Sequence, residues 1–185
     1  MIAMTKQQLR RQIRSRCGNE TARAEQSACL CQHILQSKEY QNAAIVGGYM
    51  PMRHEADILP VLRDVLESGR KLLLPLCGQA PHMTLRIVSS LEALVVGAYG
   101  ILEPAADTPV YQETAPVLLL VPLEGIDYQG YRLGKGGGYY DRLLSQGSFV
   151  SLGCAFDWQW TEKLPRDAWD IPLNACADTR GIHYF

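Results

Sequence analysis

The sequence predicts an α/β fold of three layers, in which a mostly parallel sheet carries helices on both faces. Short, continuously apolar runs such as Val117–Val121 alternate along the chain with longer segments whose apolar residues recur at helical spacing. Parallel strands require such alternation, because the chain must cross back before each new strand begins. The 185 residues are enough for one domain with a substantial core, so we predict a single domain over residues 1–185.

Caps and apolar spacing place the elements along the chain. A first helix is predicted from a Thr5 cap to about Arg16, a second over residues 21–37 and a third over residues 57–68, closed by Gly69. Residues 91–97 fit either a helix or a strand, and residues 99–104 are predicted to be a connector. Strands are predicted at residues 43–49, 71–77, 83–88, 117–121 and 149–156, and a last one begins at 175–177.

Composition excludes several classes of protein. The net charge of -1 gives no overall field that would recruit nucleic acid, and the longest apolar runs are too short to span a membrane. The six cysteines form no Cys-x-x-Cys pair and have no histidine at metal-ligand spacing, so we interpret them as reduced thiols. We therefore expect a cytoplasmic protein, monomeric, that binds small molecules and neither nucleic acid nor membranes.

A glycine-rich segment, Tyr131–Arg142, carries the chemistry of the chain. Arg132 and Lys135 supply positive charge, and a helix starting near Gly138 would add the positive end of its dipole, which favours phosphate. The lysine precedes the glycines, unlike in a Walker loop, and Tyr139 stands where the dinucleotide pattern needs its third glycine. The alternative is a simple turn with solvated cations. Without Cβ atoms, the backbone can approach a ligand at Gly134, Gly136, Gly137 and Gly138.

The run Arg132–Arg142 resembles, without a gap, the signature of the 5-formyltetrahydrofolate cyclo-ligase family, whose members are also called methenyltetrahydrofolate synthetases. This resemblance implies a related three-layer α/β fold. It also implies the reaction in which ATP and 5-formyltetrahydrofolate give ADP, phosphate and 5,10-methenyltetrahydrofolate. Shorter family landmarks recur elsewhere in the chain, at residues 100–104 and 164–165.

The first predicted helix carries Lys6, Arg10 and Arg14 at spacing i, i+4 and i+8, so that three positive charges lie along one face and repel one another. A multiply charged anion would remove this repulsion; the alternatives are a solvated basic face or a targeting peptide. The family opens with a similar helix that helps to bind ATP. The resemblance assigns the ATP site to Lys6, Arg10, Arg14, Arg132, Leu133, Gly134, Lys135, Gly136, Gly137, Gly138, Tyr139 and Tyr140.

The resemblance also extends to the folate and to a metal. The segment Tyr49–Glu55 matches the family's folate-contacting segment, and a carboxylate such as Glu55 suits the adjacent N–H donors of a reduced pterin. The implied folate-binding residues are Met50, Glu55, Lys135 and Tyr139. Asp141 and Asp170 match two acids that the family places near Mg²⁺, a cation that prefers a few hard oxygen ligands completed by phosphate and water. The family's late His-Asp-x-x-x-Asp segment has Trp169 and Asn174 at its other positions here.

The implied catalytic residues are Lys135, Arg132 and Tyr139, with Lys135 the most important side chain. Phosphoryl transfer needs alignment and charge stabilisation and does not need a covalent nucleophile. The residues by themselves also allow two other functions. One is a sugar-phosphate isomerase or acyl-CoA transferase-like enzyme, with Glu55 or Asp141 as a general base. The other is a binding protein without metal, which Trp169 and Asn174 would favour.

Overall fold

The computed structural model describes residues 4–78, 82–97 and 100–185, so the beginning of the connector predicted at residue 99 lies outside the described residues. The helices are α1 (Lys6–Ser15), α2 (Glu20–Gln36), α3 (Lys38–Asn42), α4 (Leu59–Glu67) and α5 (Tyr139–Gln146). The strands are β1 (Ile45–Gly47), β2 (Lys71–Cys77), β3 (Met83–Val88), β4 (Val95–Val96), β5 (Leu102–Glu103), β6 (Val117–Pro122), β7 (Gly125–Asp127), β8 (Arg132–Leu133), β9 (Phe149–Cys154), β10 (Trp160–Thr161), β11 (Ala175–Asp178) and β12 (Gly181–Tyr184).

Seven of these strands form one sheet, in the order β12-β11-β9-β6-β1-β2-β3. The inner pairs β11–β9, β9–β6, β6–β1 and β1–β2 are parallel, whereas β12 and β3 join the two edges antiparallel. Val46 lies opposite Leu72 on one side and Leu118 on the other. The predicted mostly parallel sheet is therefore confirmed.

Alternation along the strands divides the core between the two faces of the sheet. Val46, Leu72 and Leu118 pack in a cluster with buried side chains of α2 and α4. The neighbouring positions Ile45 and Leu73 face the other way, in a cluster against which the α5 residue Leu143 packs. Successive strand residues point to opposite faces, so apolar runs like β6 can supply both cores at once. Helices thus cover both faces, as predicted.

Between β6 and the glycine-rich loop, the chain forms two short strands that were not predicted. These strands, β7 and β8, pair in a separate small sheet of order β10-β7-β8. Asp127 closes the turn between them, because its Oδ1 accepts hydrogen bonds from the N–H groups of Gln129 and Tyr131. Strands of two or three residues are too short to show a period, so they could not be predicted from the pattern of residues.

Several other boundaries differ. The strand predicted over residues 43–49 contains only three β residues, and residues 91–97 include the short strand β4. Neither α3 nor the edge strand β12 was predicted. All six cysteines are free thiols, and the described part of the chain has no helix long and apolar enough to cross a membrane.

Candidate active site

The glycine-rich loop, residues 134–138, connects β8 to the first turn of α5. Gly136 and Gly138 have positive φ angles of 104° and 65°, which side chains other than glycine rarely adopt. Gly138 is the N-cap of α5 and provides no side-chain cap, so the loop and the exposed N–H end of the helix lie together. Gly134 is different: its φ is not positive, and a Cβ there would meet no atom within 4 Å.

Helix α1 lies directly against this loop. Its start is fixed by a capping box, in which Thr5 and Gln8 each accept a hydrogen bond from the other's backbone N–H. Leu9 and Ile13, one turn apart, are buried in a cluster with Leu133. On the adjacent face, Arg10 Nε donates to the carbonyl oxygen of Gly134 at 2.7 Å. The predicted proximity of the first helix to the glycine-rich loop is therefore present in the structure.

Lys6, one turn before Arg10, reaches a third segment of the chain. Its Nζ lies 2.6 Å from Asp170 Oδ2 and 2.7 Å from Asp167 Oδ2. Burial alone would lower the pKa of Lys6, but its hydrogen bonds to the two carboxylates outweigh this and raise the pKa above 10.5. Lys6 therefore carries its full charge at neutral pH, and it is bound to a residue predicted to ligate metal.

Arg14 has a partner of its own. Its guanidinium makes a two-point contact with Glu124, with Nε donating to Oε2 at 3.0 Å. The three charges predicted along one face of the helix therefore have partners in the protein: carboxylates compensate two of them, and a carbonyl oxygen accepts from the third. The alternative of a merely solvated basic face is wrong for the same reason.

Lys135 projects from the loop towards the segment that follows β1. Its Nζ lies 2.7 Å from Glu55 Oε1 and also contacts the sulfur of Met52. The backbone N–H of Met52 holds the second oxygen of Glu55 at 3.0 Å, and the Glu55 side chain is only 9 % exposed. The predicted nucleotide loop and the predicted folate segment thus meet in one ion pair between their most prominent side chains.

Arg132 and Asp141, at the two ends of the loop, are paired with each other. Arg132 Nη2 lies 2.9 Å from Asp141 Oδ1, and its side chain is 4 % exposed. Both residues also bond the backbone of Ile171: Arg132 donates to its carbonyl, and Asp141 accepts from its N–H. These contacts fix the start of the loop, the start of α5 and the segment that carries Asp170 relative to one another.

The two tyrosines that follow the loop, at the start of α5, occupy different positions. The ring of Tyr139 lies beside Gly137, since a Cβ on that glycine would be 2.6 Å from the Cε2 atom. Tyr140 packs against the apolar cluster beneath α5, and burial raises its pKa, as do the negative charge of Glu55 and the nearby thiol of Cys77. Met50, predicted to contact folate, packs against the main apolar core with part of its surface exposed.

Three residues near these side chains were missed by sequence reasoning: Asp167, Glu124 and Cys77. Cys77 was interpreted only as one of six reduced thiols, yet it ends β2 and lies close enough to Tyr140 to influence its pKa. Its place at the carboxyl end of a strand beside β1 could have indicated this, because ligands gather there in parallel sheets. Asp167 and Glu124 gave no such signal.

The predicted metal ligands, Asp141 and Asp170, each engage only one carboxylate oxygen within the protein. Asp141 uses only Oδ1 for Arg132 and Ile171, and Asp170 uses only Oδ2 for Lys6 and the Asp167 N–H. Each carboxylate thus has a second oxygen to which no described residue donates. Among residues 4–78, 82–97 and 100–185 no group of three or more His, Cys, Asp or Glu could hold a metal. Two hard oxygens completed by phosphate and water still fit Mg²⁺.

Comparisons with known proteins show the family of this chain. The model of the 5-formyltetrahydrofolate cyclo-ligase family matches residues 2–177. The chain belongs to this family. It is 31% identical over 186 residues to the 5-formyltetrahydrofolate cyclo-ligase of Haemophilus influenzae, with 94% of this chain and 97% of the relative covered. The Escherichia coli K12 cyclo-ligase is 32% identical over 142 residues, which cover 72% of this chain and 76% of the relative.

Solved structures show the same similarity. The 5,10-methenyltetrahydrofolate synthetase of Aquifex aeolicus superimposes with a TM-score of 0.85 at 33% identity, over 98% of this chain and 93% of that one. The Mycoplasma pneumoniae synthetase gives 0.75 at 20% identity, over 95% and 99% of the two chains, and supports the fold alone. Membership confirms the predicted family and the prediction that the chain is an enzyme of the cyclo-ligase class.

Proposed function

We propose that this member of the cyclo-ligase family uses ATP to cyclise 5-formyltetrahydrofolate to 5,10-methenyltetrahydrofolate, with release of ADP and phosphate. The observation that carries the proposal is the ion pair between Lys135 and Glu55, at 2.7 Å. It joins a loop suited to phosphate with a carboxylate suited to a pterin. Two substrates that must exchange a phosphoryl group would thereby meet at one lysine. The match over residues 2–177 supports a single catalytic unit.

The N5-formyl group of the substrate is an amide, so its carbon is a poor electrophile and its oxygen a poor leaving group. The formyl oxygen attacks the γ-phosphorus of ATP, and the bond to the β-phosphate oxygen breaks. N10 of the same folate then attacks the activated carbon and loses its proton. Departure of phosphate completes the ring. The protein must align the substrates and stabilise charge on the moving group, which is where most catalysis of phosphoryl transfer arises.

Glu55 is suited to orient the pterin. The N–H of Met52 and the ammonium of Lys135 hold the carboxylate in one position. Its oxygens can therefore accept hydrogen bonds from adjacent pterin donors without a change of side-chain rotamer. Met50 and Tyr139 would contact the ring system. Lys135 keeps 47 % of its side chain exposed, so its ammonium can reach the transferred phosphoryl group while remaining near Glu55. Lys135 would supply the largest electrostatic contribution.

The loop and α1 are suited to the nucleotide. Backbone N–H groups of residues 134–138 and the N-terminus of α5 offer donors to phosphate oxygens. Arg10, already bonded to Gly134 O, has its guanidinium beside the loop, where it would lie against the phosphates. Arg132 is paired with Asp141 and bonded to Ile171 O. We therefore assign to Arg132 the role of positioning the loop, and not direct contact with the transferred group.

Asp141 and Asp170 would hold Mg²⁺ together with the phosphates. When bound, the cation would neutralise part of the negative charge that the phosphates bring into the site. The pairing of Asp141 with Arg132 and Ile171 keeps this carboxylate aimed beside the loop. Two residues depart from the family pattern: the Trp169 ring is exposed, and Asn174 accepts hydrogen bonds from Ser151.

The test is to mix pure protein with ATP, Mg²⁺ and 5-formyltetrahydrofolate and to follow methenyl absorbance. Wild type should form product, and Lys135→Met should lose about 10²–10³-fold in rate while its melting temperature stays unchanged. Lys163→Met is the matched control, because Lys163 is exposed and takes part in none of the site contacts described above. Formation of no product by wild type, or retention of more than about a third of the rate by Lys135→Met, contradicts the proposal.

A further inference from the structure

The Nζ of Lys6 lies between two carboxylates, within hydrogen-bond distance of both. It is 2.6 Å from Asp170 Oδ2 and 2.7 Å from Asp167 Oδ2, and the exposed fractions of the three side chains are 26%, 13% and 46%. The N–H of Asp167 also donates to Asp170 Oδ2, which keeps the two acids turned towards one point. Two carboxylates converging on a point occupied by a single positive charge form a cation site, in which an ammonium is the cation.

We propose that Lys6 is an internal substitute for the divalent cation that accompanies ATP. With the nucleotide site empty, Asp167 and Asp170 hold the Lys6 ammonium; when ATP arrives, they exchange it for the divalent cation, and Lys6 turns to the phosphates. This inference rests on the proposed function for the identity of the nucleotide. It adds Asp167, which no motif indicated, to Asp141 and Asp170 at the cation site.

Charge favours such an exchange. Without a cation, the adjacent carboxylates would repel each other, so an empty site needs an internal counter-charge. A divalent ion has twice the charge of the ammonium and prefers carboxylate oxygen. ATP meanwhile brings phosphate oxygens to the loop beside α1, and these accept hydrogen bonds from an ammonium as well as a carboxylate does. Every charge therefore has a partner before and after binding.

The structure allows Lys6 to move without movement of its helix. The capping box and the burial of Leu9 and Ile13 fix α1, and Arg10 bonds to Gly134 O independently. Lys6 precedes Arg10 by one turn on the same face, so the loop lies within reach of its flexible four-carbon stem. These other contacts already hold the helix in place, so Lys6 is not needed to fix the position of α1.

The experiment measures binding of Mn²⁺, by electron paramagnetic resonance, to the full-length protein without nucleotide. Wild type should bind the ion weakly. Lys6→Met should bind it about tenfold or more tightly, because a unit positive charge in contact with the carboxylates has been removed. Lys6→Arg, which retains the charge, should bind as weakly as wild type. Adding Asp167→Asn to Lys6→Met should abolish the gain.

Lys71→Met is the matched control. Lys71 pairs with the single carboxylate of Glu113, remote from the loop along the chain, and its removal should give no comparable Mn²⁺ binding. Circular dichroism checks that each variant is folded, and Lys6→Gln repeats the test if the methionine variant is not. Unchanged Mn²⁺ affinity on loss of Lys6, or a gain that survives Asp167→Asn, overturns the inference. Neither readout needs turnover, so failure of the methenyl assay is a separate result.

Discussion

Asp170 and Asp178 are both carboxylates that accept hydrogen bonds from a cationic side chain and from a backbone N–H, but their surroundings differ. Asp178 lies in the β11–β12 hairpin, is 0 % exposed, and takes its partners, Arg180 and His183, from the same hairpin. Asp170 is 13% exposed, and its cation, Lys6, comes from the other end of the chain. The first arrangement is local and closed, whereas the second is assembled from distant segments and accessible to a ligand.

The use of the carboxylate oxygens separates the two sites further. Asp178 Oδ1 accepts from the N–H of Arg180 and pairs with His183 Nε2, and its Oδ2 accepts from the guanidinium. Asp170 uses Oδ2 alone among its described contacts. A buried carboxylate with both oxygens satisfied stabilises a fold. One with an oxygen to spare beside a glycine-rich loop can bind something else, and comparison of the two shows which type of ion pair to associate with function.

The largest expected contrast is between Asp170→Asn and Asp178→Asn. Asp170→Asn should lower kcat/KM by about 10²-fold, if this carboxylate serves the cation and the phosphoryl transfer, and leave the melting temperature unchanged. Asp178→Asn should do the reverse, with a loss of about 1–3 kcal/mol in the free energy of unfolding, because charge-assisted hydrogen bonds of a buried group are weakened. Urea unfolding and steady-state kinetics on both variants measure this. Equal effects of the two variants on activity would remove the distinction.

The dependence of folding stability on pH tests the stabilising role of Asp178. Burial alone would raise the pKa of Asp178, but hydrogen bonds from Arg180 and His183 outweigh it and hold the pKa below 3.8. A lowered pKa in the folded state stabilises the protein above the unfolded value, and this contribution is lost as pH falls through the folded pKa. The stability difference between wild type and Asp178→Asn should therefore be constant above about pH 5 and shrink in stronger acid.

A second contrast lies within α1, between Arg10 and Arg14. Arg10→Gln should raise the KM for ATP by about tenfold, because a charge-assisted phosphate contact is worth roughly 1.5–3 kcal/mol. Arg14→Gln should change it by less than about threefold, since Arg14 is 60% exposed and already paired with Glu124, and exposed pairs contribute about 0–1 kcal/mol. Initial rates at varied ATP measure both. A larger effect at Arg14 would favour the role that the sequence resemblance implies for it.

The smallest contrast concerns two glycines of the loop. Gly136 has φ of 104°, so Gly136→Ala should cost about 1–3 kcal/mol of stability through backbone strain. A Cβ on Gly134 meets nothing within 4 Å, so Gly134→Ala should leave stability unchanged and raise the KM for ATP a few-fold only if the nucleotide approaches the backbone there. Calorimetry and kinetics separate the two effects. An unchanged KM for Gly134→Ala would mean that the phosphates lie elsewhere along the loop.

Much of the fold followed from local pattern. The strands at residues 71–77 and 83–88 were predicted at their observed bounds, because an alternating pattern, or an apolar run too short for a helix, favours a strand. The Thr5 cap and the start of α5 after Gly138 were also predicted from short sequence signals. By contrast, β7, β8 and β10 hold only two or three residues, and their pairing depends on segments that approach through tertiary contacts.

The amino-acid sequence by itself determined the α/β architecture, the family and the residue types that gather at the site, since each is a property of short segments. Tertiary structure decided which charges meet. Lys6 with Asp167 and Asp170, Arg14 with Glu124 and Lys135 with Glu55 join residues that lie from 80 to 164 positions apart. The energy of an ion pair depends on distance and burial in space, and neither can be read from separation along the chain.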